Sequence, residues 1–265
     1  MIPTGAPTFH EALRLGAETY AKLREVLKEE YGLQATLVGD EGGFAPNITS
    51  PEEGMRILVK AIERAGHTGK IKLGSDPAAS EFFKEGKYDL CFKDAEKPDK
   101  RSAAEMVALY EKICEGYPMV LLEDPFDEED FSSHGELTAS LGQKVEIVGD
   151  DLYCTNVKRV SRGVNEKSTN AMLLKVNQIG SVTESIQAWA LCRREKWGVF
   201  VSHRSGETED AFIADLAVGI GAGHIKSGAP CRSERLAKYN QLLRIEKEFP
   251  QIPYAGDKFR TPWEC

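Results

Sequence analysis

Six short apolar runs in this chain each end on a residue that can carry charge or move a proton. They read IKLGSD to Asp76, MVLLED to Glu123 and Asp124, VEIVGDD to Asp150 and Asp151, AMLLK to Lys175, VFVSHRS to His203, and HIK to Lys226. In the order Asp76, Glu123, Asp150, Lys175, His203, Lys226, successive endings lie 47, 27, 25, 28 and 23 residues apart. Carboxylates in such numbers suit a hard divalent cation. A lysine among them can act as a base if burial and nearby positive charge favour its neutral amine. Ordinary solvation of strand ends would instead scatter Ser, Asn, Gly and mixed charges. Asp124 and Asp151 adjoin the candidate ligands but face the other way, because side chains alternate along a strand, so they read as supporting or structural.

Two further stretches could do chemistry. In GDEGG, Glu41 is flanked by glycines that would let a mobile loop carry a carboxyl to a ligand. In SHRS, Arg204 offers a bidentate fork for a phosphate and Ser205 a hydroxyl, with His203 beside them. His10, His67, His134 and His224 belong to no motif and read as surface or structural.

The elements that must position these residues alternate. Strands are expected at Lys70–Gly74, Met119–Leu122, Val145–Val148, Met172–Leu174, Val199–Ser202 and His224–Lys226, separated by helical stretches, the clearest at 102–116, 179–196 and 232–248. Strand–helix alternation predicts βαβ units and a mainly parallel sheet. In a parallel barrel the C-terminal strand ends share one face, where active sites lie, so the six endings are expected to converge on one pocket. The fold class expected is α/β, a TIM-type barrel with about six clear βα units, occupying residues 1–265 as one domain. A closed barrel needs eight strands, so the chain is expected to be N-terminally incomplete. Before the first strand, residues 8–30 carry apolar positions at Phe9, Leu13, Gly16, Tyr20, Leu23 and Leu27 at helical spacing, with Gly32 as a stop. Residues 51–66 form a second amphipathic helix capped by Ser50. YDLCF (88–92) reads as a hairpin strand outside the rhythm, and 93–105 as an exposed connection.

Composition narrows the classes. The 34 basic and 42 acidic side chains give a net charge of −8, which argues against nucleic acid or an anionic membrane as the main partner. No apolar run approaches the length of a membrane span, and the first residues lack the basic and apolar regions of a secretory leader. Six scattered cysteines without a C-x-x-C pair read as reduced thiols of a cytoplasmic protein.

The motifs carry a resemblance. VGDEGGFAPN (38–47), SDPAASEFF (75–83), LLEDPF (121–126), LLKVNQIGSVTES (173–185), SHRSGETED (202–210) and SGAPCRSERLAKYNQLLRIE (227–246) resemble the enolase family, in family order and over almost the whole chain. The resemblance implies an enolase-like barrel without its N-terminal α+β domain and first strand. The implied activity is a glycolytic and gluconeogenic lyase: reversible, Mg2+-dependent dehydration of 2-phosphoglycerate to phosphoenolpyruvate. Asp76, Glu123 and Asp150 would hold magnesium, Lys175 would be the base and Glu41 the acid. Arg204 and Ser205 would hold the phosphate, with His203 and Lys226, together with Glu123, Asp150 and Lys175, around the substrate. A Lys or His base beside magnesium is the pattern of enolase-superfamily sites, so the role of Lys175 follows from the resemblance rather than from spacing. The full-length parent is expected to be a homodimer, and this chain alone weakly active or inactive. Two readings compete: a catalytically incompetent fragment or non-catalytic relative with a structural or binding role, and a Schiff-base aldolase built on Lys175. Pro77 departs from the family pattern and is expected to fix the backbone beside Asp76.

Overall fold

The computed structural model describes residues 1–94 and 96–265. The chain divides into two compact units, Met1–Leu73 with Val201–Cys265, and Gly74–Phe200. Both boundaries fall inside strands, β1 (Leu73–Ser75) and β8 (Gly198–Ser202).

In the central unit the strands run in the order β1, β5 (Met119–Glu123), β6 (Glu146–Gly149), β7 (Ala171–Leu174) and the start of β8, each bonded to its neighbour. The pairs β5–β6 and β6–β7 are parallel, with Leu121 opposite Glu146 and Val148 opposite Ala171. Strands buried on both faces become continuous apolar runs: Leu121, Leu122, Ile147, Val148 and Ala171 through Leu174 are all buried. The connecting helices are α3 (Ala103–Gly116), α4 (Phe131–Leu141), α5 (Val157–Glu166), the single turn α6 (Val176–Ile179) and α7 (Val182–Arg194). Helix α3 opens with a reciprocal capping box between Ser102 and Glu105, and the Ser181 side chain accepts the Glu184 N–H at the start of α7, so two orphan donors are met by sequence-local acceptors. The expected extra strand belongs to a small antiparallel sheet of β2 (Phe83–Lys84), β3 (Lys87–Asp89) and β4 (Lys100–Arg101). The segment expected as a plain connection over 93–105 therefore also holds a strand and a helix start; Ala95 within it lies outside the described residues.

The other unit contains α1 (Phe9–Tyr31), α2 (Pro51–Arg64), the end of β8 beside β9 (Gly223–Lys226), α8 (Phe212–Gly219) and α9 (Ser233–Glu248). Pro51 sits in the first turn of α2 and the Ser50 side chain caps it. Helix α1 has the expected length, and its expected positions are half-buried (Phe9, Leu13, Gly16, Tyr20, Leu23) or buried (Leu27). Its buried positions are Ala12, Leu15, Thr19, Val26 and Leu27, and Val26 and Leu27 pack with Ala35, Ile57 and Ala61. Small and hydroxyl-bearing residues can line a tight helix–helix contact, which a reading based on large apolar positions overlooks. Glu246 of α9 accepts the Phe9 and His10 N–H groups at 2.5 and 3.0 Å, an acid at the positive end of α1. Among the described residues, no helix is long and apolar enough to cross a membrane.

Candidate active site

The central unit supplies carboxylates and a lysine. Asp150 follows β6 and Lys175 follows β7, adjacent strands, and the Lys175 Nζ donates to Asp150 Oδ2. The other oxygen, Oδ1, accepts from Gln178 Nε2 at 3.0 Å. Thr155 completes the circuit: its Oγ1 accepts the Lys175 N–H and donates to Gln178 Oε1, both at 2.9 Å. The lysine is therefore held by its backbone and its amine at once, between α6 and the turn that precedes α5.

Beside this pair, Asp124 uses its carboxylate on the backbone. Oδ1 and Oδ2 accept the N–H groups of Asp150 and Asp151 at 2.8 and 2.7 Å. Asp124 is buried and has φ +41°, a left-handed geometry that costs energy outside glycine and is kept only where surroundings demand it. Burial and the neighbouring Asp150 carboxylate push its carboxyl up to about 8, against the two N–H donors that favour the anion. Among the described residues, Asp124, Asp150 and Asp151 form the one group of three whose carboxylate oxygens all lie within 4.8 Å of one another. Three hard oxygen donors at that spacing fit a magnesium or calcium ion.

Asp76 is exposed one residue beyond β1, and its Oδ1 accepts the Ala78 N–H at 3.0 Å. That hydrogen bond closes an Asx turn across Pro77, with Ala78 at φ +48°. Glu123 ends β5 and is almost fully buried. Asp76 and Glu123 are outside the tight group.

The other unit supplies a second constellation. Residues 39–43 make a turn closed by Gly42 N–H to Gly39 O at 3.0 Å and Gly39 N–H to Gly43 O at 2.8 Å. The expected mobile loop is in fact tied on several sides. Tyr20, stacked on Phe44 with centroids 4.4 Å apart, donates to Gly42 O at 2.6 Å. The Ala229 N–H binds Glu41 O at 2.9 Å. Gly42 (φ +79°) and Gly228 (φ +75°) are needed here, since a Cβ would stand 2.6 Å from Cys231 O and Glu41 O respectively. This places Glu41 Oε2 3.1 Å from His203 Nε2. His203 holds the Glu41 carboxyl down at about 2; burial works the other way, and the charges of Lys226 and Arg235 add to the lowering. Ser205 Oγ is 3.4 Å from Glu41 Oε1, Arg204 and Ser205 are exposed, and Lys226 ends β9, its carbonyl accepting the His203 N–H at 3.0 Å.

Carboxylates and a paired lysine at successive strand ends are an α/β-barrel arrangement, and the family comparison agrees: residues 1–263 match the family described as enolase, C-terminal TIM barrel domain. The chain belongs to the enolase C-terminal barrel family. An enolase of Solanum lycopersicum and enolase 2 of Hevea brasiliensis are each 56% identical to it over 268 residues. These alignments take in all of this chain and 60% of each relative, so the chain spans less than two thirds of their length. The enolase family supplies the TIM-type α/β class that the strand–helix rhythm predicts.

Within this enolase-family frame, the structure brings Asp150 to Lys175 and Glu41 to His203, pairings that no spacing in the sequence shows. Three participants were missed. Gln178 and Thr155 lie within or near a quoted motif but carry uncharged side chains. Arg235, in the first turn of α9, reads as a solvent-facing arginine and is 1% exposed. The only available hint was its place in the GAPCRSER segment after β9.

Proposed function

We propose that this chain is the catalytic barrel portion of a phosphopyruvate hydratase, interconverting 2-phosphoglycerate and phosphoenolpyruvate with magnesium. The observation that carries the reading is the Lys175–Asp150 pair at the edge of a three-carboxylate cluster: an amine poised as base beside donors for a hard cation. Asp76, Glu123 and Asp150 are the residues the family resemblance nominates to hold the ion, with Asp124 keeping the Asp150–Asp151 backbone in place. When bound, magnesium would supply the positive charge that stabilises the dianion formed as the carbon-2 proton leaves. Lys175 takes that proton at Nζ. Asp150 and Gln178 fix the amine's direction, which spares the reaction an ordering cost.

Glu41 is the acid for the departing carbon-3 hydroxyl. A carboxyl held at about 2 carries no proton to give at neutral pH, so an arriving anionic substrate has to offset the groups that hold it down. Arg204 and Ser205 suit the phosphate, and Lys226 the substrate carboxylate. The compartment proposed is the cytoplasm, supported by six free cysteines, and the assembly proposed for the longer protein is a homodimer.

Calorimetry of the chain with magnesium tests the metal half: saturable binding lost in Asp150→Asn is expected, and no binding at millimolar magnesium overturns it. The chain joined behind the N-terminal portion of the tomato relative tests the chemistry. Magnesium-dependent exchange of the carbon-2 hydrogen with solvent deuterium, abolished in Lys175→Ala, is the expected result. Exchange that survives in Lys175→Ala removes the base assignment, and a borohydride-trapped adduct on Lys175 would favour the Schiff-base alternative.

A further inference from the structure

We propose that Arg235 is a positioning residue that fixes the ring hydrogen of His203 on Nε2, facing Glu41. Its part in catalysis rests on the reading given under Proposed function; the tautomer itself does not.

Arg235 Nη1 lies 2.7 Å from His203 Nδ1. A guanidinium has only N–H donors and stays charged at any working pH, so Nδ1 must accept with its lone pair. The ring's single hydrogen is then on Nε2, the nitrogen 3.1 Å from Glu41 Oε2. A second ring hydrogen on Nδ1 would set N–H against N–H at 2.7 Å, beside a full positive charge. The groups facing the His203 ring nitrogens are thus a cation on one side and a carboxylate on the other.

The same guanidinium fastens the backbone on both sides of this contact. Nη1 donates to Arg204 O at 2.7 Å, and Nη2 to Ser205 O at 2.7 Å and Asp40 O at 3.0 Å. One side chain thereby joins the residue before Glu41 to the two residues after His203. The stem fits because residue 228 is glycine: a Cβ there would meet Arg235 Cδ and Cγ at 3.1 and 3.2 Å. Lysine has the charge but not the planar fork, and cannot reach four acceptors with one nitrogen.

The test reads the ring nitrogens of His203 by long-range proton–nitrogen NMR at neutral pH on the 265-residue chain, the signals being identified by their loss in His203→Asn. In the parent chain an unprotonated Nδ1 and a protonated Nε2 are expected. In Arg235→Met, where nothing opposes a second hydrogen and Glu41 favours it, Nδ1 is expected to shift to the imidazolium position, with Arg235→Lys partway. A hydrogen on Nδ1 in the parent chain overturns the proposal, and this result needs no variant to fold. A folded Arg235→Met with the parent pattern overturns it as well. The reading depends on neither magnesium nor turnover, so the proposed activity and this tautomer lock can fail separately.

Discussion

Lys175 is salt-bridged to Asp150 across the ends of neighbouring strands, and the two side chains are only 14% and 8% exposed. Removing one member of such a pair leaves a poorly hydrated charge behind. Lys175→Met should therefore cost about 2–3 kcal/mol of stability, less than a fully buried pair would, because Gln178 still serves Asp150. Adding Asp150→Asn should return part of the loss. Urea unfolding of the two single variants and the double gives the coupling; additivity within about 0.5 kcal/mol would show that the pair contributes nothing as a pair.

Magnesium should raise the melting temperature, and the carboxylate variants should sort into two kinds. Asp76→Asn, at an exposed position, is expected to leave the apo melting temperature nearly unchanged and to shrink the magnesium-induced rise, and Glu123→Gln to shrink that rise as well. Asp124→Asn is expected to cost about 1–3 kcal/mol without magnesium, since it weakens an acceptor for two backbone N–H groups. If instead Asp124→Asn and Asp151→Asn abolish the rise while Asp76→Asn does not, the ion sits in the tight trio.

Glu41 is held at about 2 chiefly by His203. Replacing His203 with Asn should let the Glu41 carboxyl climb toward the ordinary glutamate range, followed by carbon NMR of the labelled carboxyl group. The folded value is depressed, so this group's contribution to stability is present above the usual glutamate pKa and fades as pH falls toward 2. An unmoved titration in His203→Asn would transfer the effect to Lys226 and Arg235.

His134 gives the chain an acid sensitivity remote from chemistry. Its ring is buried edge-on to Phe126, centroids 5.3 Å apart, with Nδ1 2.8 Å from the Asp130 carbonyl. Burial lowers its pKa from 6.5 to about 4. The unfolded chain thus binds a proton that the folded one refuses, and stability is lost as pH falls below 6.5, levelling near 4. About 2 kcal/mol should vanish between pH 7 and pH 5. In His134→Phe that slope should flatten in denaturant titrations; an unchanged slope would place the sensitivity elsewhere.

The strand ends were legible because an apolar run that stops at a charge announces both the strand and the place where it surfaces. Tertiary burial was not. Thr19 is buried on the inner side of α1 with its hydroxyl bonded to the Leu15 carbonyl at 2.8 Å, a place that its polar side chain does not announce. For Asp124, strand alternation predicts a side chain turned away from the neighbouring acids, yet its carboxylate lies within 4.8 Å of those of Asp150 and Asp151, and its grip on two N–H groups across the sheet is a tertiary contact that no local pattern shows. Arg235 shows the same limit: an arginine reads as soluble until four carbonyl and ring acceptors are found around it.

The Thr155 hydroxyl has a directional consequence. Its lone pair receives the Lys175 amide, so its own hydrogen is free for the Gln178 carbonyl, and the Gln178 NH2 is left to point at Asp150. Flipping that amide would set its oxygen against Asp150 Oδ1 and its NH2 against the hydrogen of the Thr155 hydroxyl. The side chain is consequently polarised one way only, and position 178 discriminates between two nearly isosteric groups: a carboxylate there would confront Asp150 with a second negative charge, while the amide hands it a hydrogen.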